Sequence, residues 1–326
     1  MNIIPIVFAF DNNLAFPACI CLSSLMMNAK ESTFYDIFIL HPASEDLKHE
    51  ELDKISSFYS NCRIQYIAVD DTFAQAYEIR GITTPAYYRL LIPELIPQYD
   101  KVLYSDVDVI FRTDLSDLMD LDLGLDYLAA VYDWSIVIDE KGRQYAGKVL
   151  GVNSETYIQS GFLLMNCKLI REDGLVNRFR EEAHKRYKFQ DQDILNVVCG
   201  SRKKSLPIWW NMTNYAFEYW HDKPQVMMED SSGAEIEKQW PHSNIHYNGQ
   251  KPWKGWCVNF DIWWEYYRKS PFYDEKFYFD FFYNKLDEYD RLSFYRKEIA
   301  NNYVAFHSRN GGIAYSIVKL RKILGR

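Results

Sequence analysis

The chain has 326 residues, 48% of them apolar and 25% charged. This suits one large α/β domain or two domains of a globular protein, and it excludes a disordered, collagenous or coiled-coil chain. Acidic residues outnumber basic ones by 45 to 37, for a net charge of −8, the wrong sign for a general nucleic-acid binder. Aromatic residues reach 17%, a density that points to sugar-stacking surfaces or a membrane-interface belt as well as to core.

Residues 3–10 (IIPIVFAF) form a near-continuous apolar run that ends at Asp11-Asn12-Asn13. The pattern predicts a buried parallel strand and a polar loop, and no signal peptide, because no basic segment precedes it. A helical pattern covers 14–29. Then come a strand at 35–40 (YDIFIL), an amphipathic helix at 45–59, a strand at 63–69 (RIQYIAV), a helix at 86–95 and a strand at 101–104. Such alternation predicts right-handed βαβ units and a parallel sheet covered on both faces. Further strands are expected at 128–132 and 161–166 (GFLLMN), and helices at 172–187 and 191–199.

From Trp209 the chain becomes aromatic-dense and loop-like. Its last twelve residues set Ile317, Leu320 and Leu324 at helical spacing, with Lys319, Arg321, Lys322 and Arg326 mostly on other faces. No apolar run of 18 or more residues exists, so no membrane-spanning helix is expected. The six cysteines form no CxxC pair and read as reduced, mostly buried thiols of a cytosolic protein. The sequon Asn211-Met212-Thr213 reads as a chance triplet.

Three segments could carry chemistry. In Tyr104-Ser105-Asp106-Val107-Asp108 an apolar strand runs into two carboxylates one residue apart. Alternate side chains of an extended chain point the same way, so Asp106 and Asp108 can converge on one hard cation where open α/β sheets bind ligands. Taken alone, the triplet also fits a solvated strand end. In His246-Tyr247-Asn248-Gly249-Gln250-Lys251-Pro252-Trp253, a metal-capable imidazole stands near a glycine and a lysine suited to phosphate, or else near an ordinary surface turn. Phe189-Gln190-Asp191-Gln192-Asp193 opens a helix, where its acids serve as caps or reach a bound sugar. Asp11 and Asp133 each follow an apolar strand and so join the rim that carries the Asp pair, and Arg89 in TTPAYYRL is a further single candidate. Phosphate-loop, GxGxxG, GxSxG and HExxH motifs are all absent.

The series formed by the Asp-Asn-Asn strand, TTPAYYRL, KVLYSDVDVIF, GFLLMN, FQDQDILN and HYNGQKPW resembles the family 8 glycosyltransferases, and among them bacterial galactosyl- and glucosyltransferases of lipooligosaccharide and lipopolysaccharide synthesis. The resemblance implies a GT-A, Rossmann-like nucleotide-sugar-binding fold: a mixed, mostly parallel sheet flanked by helices, with an aromatic-rich helical C-terminal region. It implies that Asp106, Asp108 and His246 bind Mn²⁺, or Mg²⁺. Ala9, Asp11, Asn13 and Val107 would meet the nucleotide, and Gly249 and Lys251 the diphosphate. Arg89, Asp191 and Asp133 would hold the sugar hydroxyls, Gln192 its reacting face, and Ser160 would touch sugar or acceptor. The spacing from Gly249 to Lys251 is one residue shorter than the family's HxxGxxKPW, and Gln159-Ser160-Gly161 stands where Asn-Ala-Gly is common.

The expected enzyme is a retaining, metal-dependent hexosyltransferase that uses UDP-glucose or UDP-galactose. Its acceptor would be a hydroxyl of a saccharide or lipid-linked cell-surface glycan. An amide at Gln192 is a poor nucleophile, which favours same-face attack over double displacement. Residues 1–256 would form the catalytic domain. Residues 257–326 would form an aromatic and basic extension that rests on the inner face of the cell membrane. The alternatives are a sugar nucleotidyltransferase and a non-catalytic sugar-nucleotide-binding subunit of a polysaccharide assembly.

Overall fold

The computed structural model describes residues 2–73, 76, 84–223 and 235–291. The first apolar run is β1 (Asn2–Ala9), and its last six residues are all buried. Burial on both faces is what a continuous apolar run demands. The next strands are β2 (Thr33–Pro42), β3 (Cys62–Val69), β4 (Lys101–Ser105) and β5 (Val109–Ile110). They are followed by β6 (Leu128–Tyr132), β7 (Ile158–Asn166), β8 (Lys203–Ser205), β9 (Met212–Thr213) and β10 (Ile245–His246).

Seven strands form one sheet in the order β3-β2-β1-β4-β7-β6-β8. β1 pairs in parallel with β2 from Asn2↔Thr33 to Ala9↔Leu40, and also with β4. β2/β3 and β6/β8 are parallel too. β7 runs against both of its neighbours, β4 and β6. The sheet is thus mixed and mostly parallel, as expected. A second sheet has the order β5-β10-β9.

The helix Ala15–Met27 follows β1 and is buried over most of its length. The helix expected at 86–95 is instead a 3-10 stretch, Thr84–Leu91, leading into a single α-turn, Ile92–Leu95. Pro85 and Pro93 each remove a backbone donor there, which favours a short, tight element over a long helix. The charged helix expected at 172–187 is shorter, Leu175–Glu182, and is preceded by Cys167–Glu172.

Much of the aromatic excess is packing. Phe217, Trp220 and Trp240 form one ring cluster, with Phe217 and Trp240 4.4 Å apart. Phe16 sets its edge on Trp263 and Tyr267 of the helix Phe260–Lys269, at 5.9 and 5.8 Å. The chain divides into two compact units, Met1–Phe272 and Tyr273–Arg326. The first runs past residue 256 and includes the helix Phe260–Lys269. In the second, the helix Glu275–Arg291 exposes Phe279, Tyr283 and Leu286. The basic stretch from 313 to 326 lies outside the described residues. Among the described residues no helix is long and apolar enough to cross a membrane. All six cysteines are free thiols, five of them buried.

Candidate active site

β1, β4 and β6 all end at one edge of the main sheet, and β7, running the other way, begins there. That edge therefore collects Asp11, Asp106 and Asp133 after three strands, and Gln159-Ser160-Gly161 from the start of a fourth. The pairing of β6 with β7 skips between Ala130↔Leu163 and Tyr132↔Ile158. Residues 159–161 thus stand out of register with β6, which frees their backbone N–H groups for side chains. The Asp106 N–H donates to the Gly161 carbonyl at 2.8 Å, tying the Asp motif to β7.

Asp106, Asp108 and His246 converge, with one ligand atom from each within 4.8 Å of the others. His246 stands opposite Val109 in the β5/β10 ladder, so the small sheet carries the imidazole to the Asp motif. Its Nε2 lies 3.2 Å from Asp108 Oδ1 and 3.7 Å from Asp106 Oδ2, while Nδ1 lies 2.9 Å from Asn211 Oδ1. Two carboxylates and an imidazole make a donor set suited to Mn²⁺ or Mg²⁺. Gly161 makes room for it: a Cβ there would lie 2.3 Å from His246 Cε1 and 2.6 Å from Asp106 Oδ2. The residues present fit a divalent cation. Lys251 Nζ pairs with Asp108 and bonds the Tyr247 carbonyl at 2.6 Å. Burial works to raise the Asp108 carboxyl, but Lys251 and His246 together hold it well below the usual range.

Arg89 is 4% exposed and saturated with partners. It donates to Asp106 Oδ1 at 2.9 Å and to the Ser160 carbonyl at 2.6 Å, and its Nε lies 3.2 Å from Asp191 Oδ2. Its guanidinium lies over the Tyr104 ring at 4.4 Å, and the Tyr104 hydroxyl donates to Asp106 at 2.7 Å. The charge of Arg89 is thus spent on two carboxylates. Asp191 also accepts from Ser160 Oγ at 2.8 Å. Burial pushes the Asp191 carboxyl up to about 6 against the pull of Arg89.

Gln192 is held at both ends. Its Oε1 accepts from the Ser160 N–H at 3.1 Å, and its Nε2 donates to Asp133 Oδ2 at 2.8 Å. A backbone donor on one side and a carboxylate on the other allow only one amide orientation. Asp133 is also the N-cap of the helix Trp134–Val137, accepting from the Ser135 N–H at 2.9 Å. Asp193 reaches back to the Phe189 N–H at 2.8 Å, as an N-terminal acid does, and is fully buried beside the Tyr145 and Tyr157 hydroxyls. Gln190 opens the helix Gln190–Cys199, which carries Asp191, Gln192 and Asp193, at φ +46°, a strained conformation for a side-chain-bearing residue.

Of the other expected contacts, Ala9 and Asp11 are buried at the end of β1. Asp11 accepts from the Asn13 N–H at 3.0 Å. Val107 is buried between the two aspartates, whereas Asn13 and Gly249 are exposed. Asn211 and Tyr157 bind the site residues without belonging to any motif read as chemical, and Tyr104, which stands in the Asp motif, has no role of its own in the sequence reading. Asn211 had only its sequon to draw attention, and it is 1% exposed.

A family profile described as Glycosyl transferase family 8 matches residues 5–257. A putative glycosyltransferase of Haemophilus influenzae is 28% identical over 214 residues, which is 64% of this chain but only 63% of that relative. A lipopolysaccharide 1,2-glucosyltransferase of Escherichia coli is 24% identical over 263 residues, 77% of this chain and 73% of its own length. Among solved structures, the galactosyltransferase LgtC, in complex with donor and acceptor sugar analogues, is similar at a TM-score of 0.67 and 27% identity. That likeness covers 84% of this chain and 98% of LgtC.

Proposed function

The chain belongs to glycosyl transferase family 8, and from that membership we propose that it transfers a hexose, glucose or galactose, from a UDP-sugar to an acceptor hydroxyl with retention at the anomeric carbon. The observation that carries the reading is the convergence of Asp106, Asp108 and His246 around the cleared space at Gly161. The names of the Escherichia coli relative, a lipopolysaccharide glucosyltransferase, and of LgtC, a galactosyltransferase, support a hexose donor and a saccharide acceptor.

Asp106, Asp108 and His246 would hold Mn²⁺ or Mg²⁺. When bound, such a cation supplies charge that neutralises a departing diphosphate. Lys251, anchored on the Tyr247 carbonyl, brings an ammonium to the same rim. Arg89 keeps Asp106 and Asp191 in place and offsets their charge. Gln192 presents a carbonyl oxygen fixed by Ser160, and an amide oxygen is neutral and weakly basic. It therefore serves as a dipole beside an oxocarbenium-like state, not as the nucleophile of a double displacement. The acceptor hydroxyl enters on the face that UDP leaves, and a phosphate oxygen takes its proton.

The test is UDP release from a panel of UDP-sugars with Mn²⁺, with Mg²⁺ and with EDTA. Release from one UDP-hexose that stops in EDTA is expected. Asp106→Ala or Asp108→Ala should lower it by roughly 100-fold or more, whereas Gln192→Ala should retain measurable turnover. An inert Gln192→Ala with intact donor binding would overturn same-face attack. Silence with every donor, together with no Mn²⁺-dependent UDP binding in calorimetry, would favour a non-catalytic subunit.

A further inference from the structure

A backbone amide is an unambiguous donor, and the Gly161 N–H donates to Gln159 Oε1 at 2.7 Å. That bond fixes which end of the Gln159 carboxamide is oxygen. The same oxygen accepts from Asn211 Nδ2 at 2.6 Å. The amino end of Asn211 thus faces Gln159, and its carbonyl end faces His246 Nδ1 at 2.9 Å. An amide carbonyl only accepts, so Nδ1 carries a hydrogen, and Nε2 is the nitrogen left to meet a cation. Nε2 is the nitrogen that faces Asp106 and Asp108. Gln159, Asn211 and His246 are 8%, 1% and 1% exposed, so little water competes for these bonds.

The geometry points to Asn211 as a positioning residue of the metal site, with Gln159 as its anchor: the pair holds His246 in the tautomer and orientation that offer Nε2 to a divalent cation. The inference rests on the reading of Asp106, Asp108 and His246 as that site. A ligating histidine whose far nitrogen is fixed in this way typically loses 10–100-fold in metal affinity when the partner is removed. The same bonds account for the sequon at Asn211-Met212-Thr213. A side chain buried and bonded through both of its amide atoms is a structural part, not an acceptor for modification.

The test uses the full chain and two readouts that need no turnover. Nitrogen-15 shifts of the His246 ring in metal-free protein, assigned by their loss in His246→Gln, should report a protonated Nδ1. Mn²⁺ is titrated without donor and followed by electron paramagnetic resonance. Asn211→Leu removes the acceptor at similar volume. It should move the ring shifts away from an Asn211-bonded Nδ1 and bind Mn²⁺ 10–100-fold more weakly in protein that still melts cooperatively. Folded Asn211→Leu with wild-type ring shifts and wild-type affinity would overturn the inference. If Asn211→Leu fails to fold, Gln159→Met takes its place: moved ring shifts support the inference, and unmoved shifts overturn it. A wild-type ring with no hydrogen on Nδ1 would also overturn it. A wild-type chain that binds no Mn²⁺ would overturn the metal-site reading instead, and the ring shifts would still decide whether Asn211 sets the tautomer.

Discussion

Asp191 carries a charge that the fold disfavours. Burial pushes its carboxyl up to about 6, from an ordinary value of 3.8 that the unfolded chain restores. Between those values the folded protein keeps a proton that the unfolded chain has released. Through this group, stability therefore rises as pH falls from 7.5 towards 5, and at neutral pH the ionised carboxylate costs on the order of 2–3 kcal/mol. The expected signature is that Asp191→Asn shrinks the difference in urea midpoint between pH 7.5 and pH 5, while transferase turnover falls. A difference equal to that of the wild type would refute the account. At this scale the metal trio and Asp191 were legible because they stand in short motifs with a chemical meaning. Asn211 and Gln159 were not, because each acts through another side chain and is brought there by contacts between segments distant in sequence.

The first half of β7 joins the two parts of the site. The Ser160 N–H orients Gln192, and the next N–H, of Gly161, orients Gln159. The helix Gln190–Cys199 is fastened to that strand by Asn196. This residue accepts from the Ile158 N–H and donates to the Ile158 and Gln192 carbonyls, each at 2.9 Å. Its Oδ1 also takes Lys203 Nζ at 2.9 Å, a buried ammonium that burial pulls down to about 8. Asn196→Ala would leave several buried polar groups without partners, at a cost of about 2–4 kcal/mol. Urea unfolding should register that loss, and a change below about 1 kcal/mol would count against it. The strands of the parallel half were legible from apolar runs that admit little else. The reversed direction of β7 was not, since GFLLMN reads alike in either sense, and the skipped pairing beside it leaves no mark in composition.

For the molecule as a whole, the question is where the catalytic unit stops. Sequence character changes near residue 257, yet Trp263, Trp264 and Tyr267 are each at most 1% exposed, and Trp264 Nε1 donates to the Pro252 carbonyl at 3.1 Å. Burying side chains of this kind contributes roughly 1.5–3 kcal/mol apiece. A chain ended after residue 256 should therefore fail to fold or lose most of its stability, whereas one ended after residue 272 should keep a cooperative melt and metal-dependent UDP release. Equal behaviour of the two truncations would show that the helix Phe260–Lys269 is dispensable. Aromatic density alone does not distinguish a packed core from an interface belt, and for residues 260–267 the contacts show packing.

The missing Cβ at Gly161 also gives a rule for reading other genomes. Alanine adds the least volume to glycine, yet here its one methyl group would occupy the ground that His246 and Asp106 share. A gene copy that keeps every acidic motif but has drifted at this codon is expected to encode a protein without metal-dependent transfer. One position can thus sort duplicated genes before any of their products is purified.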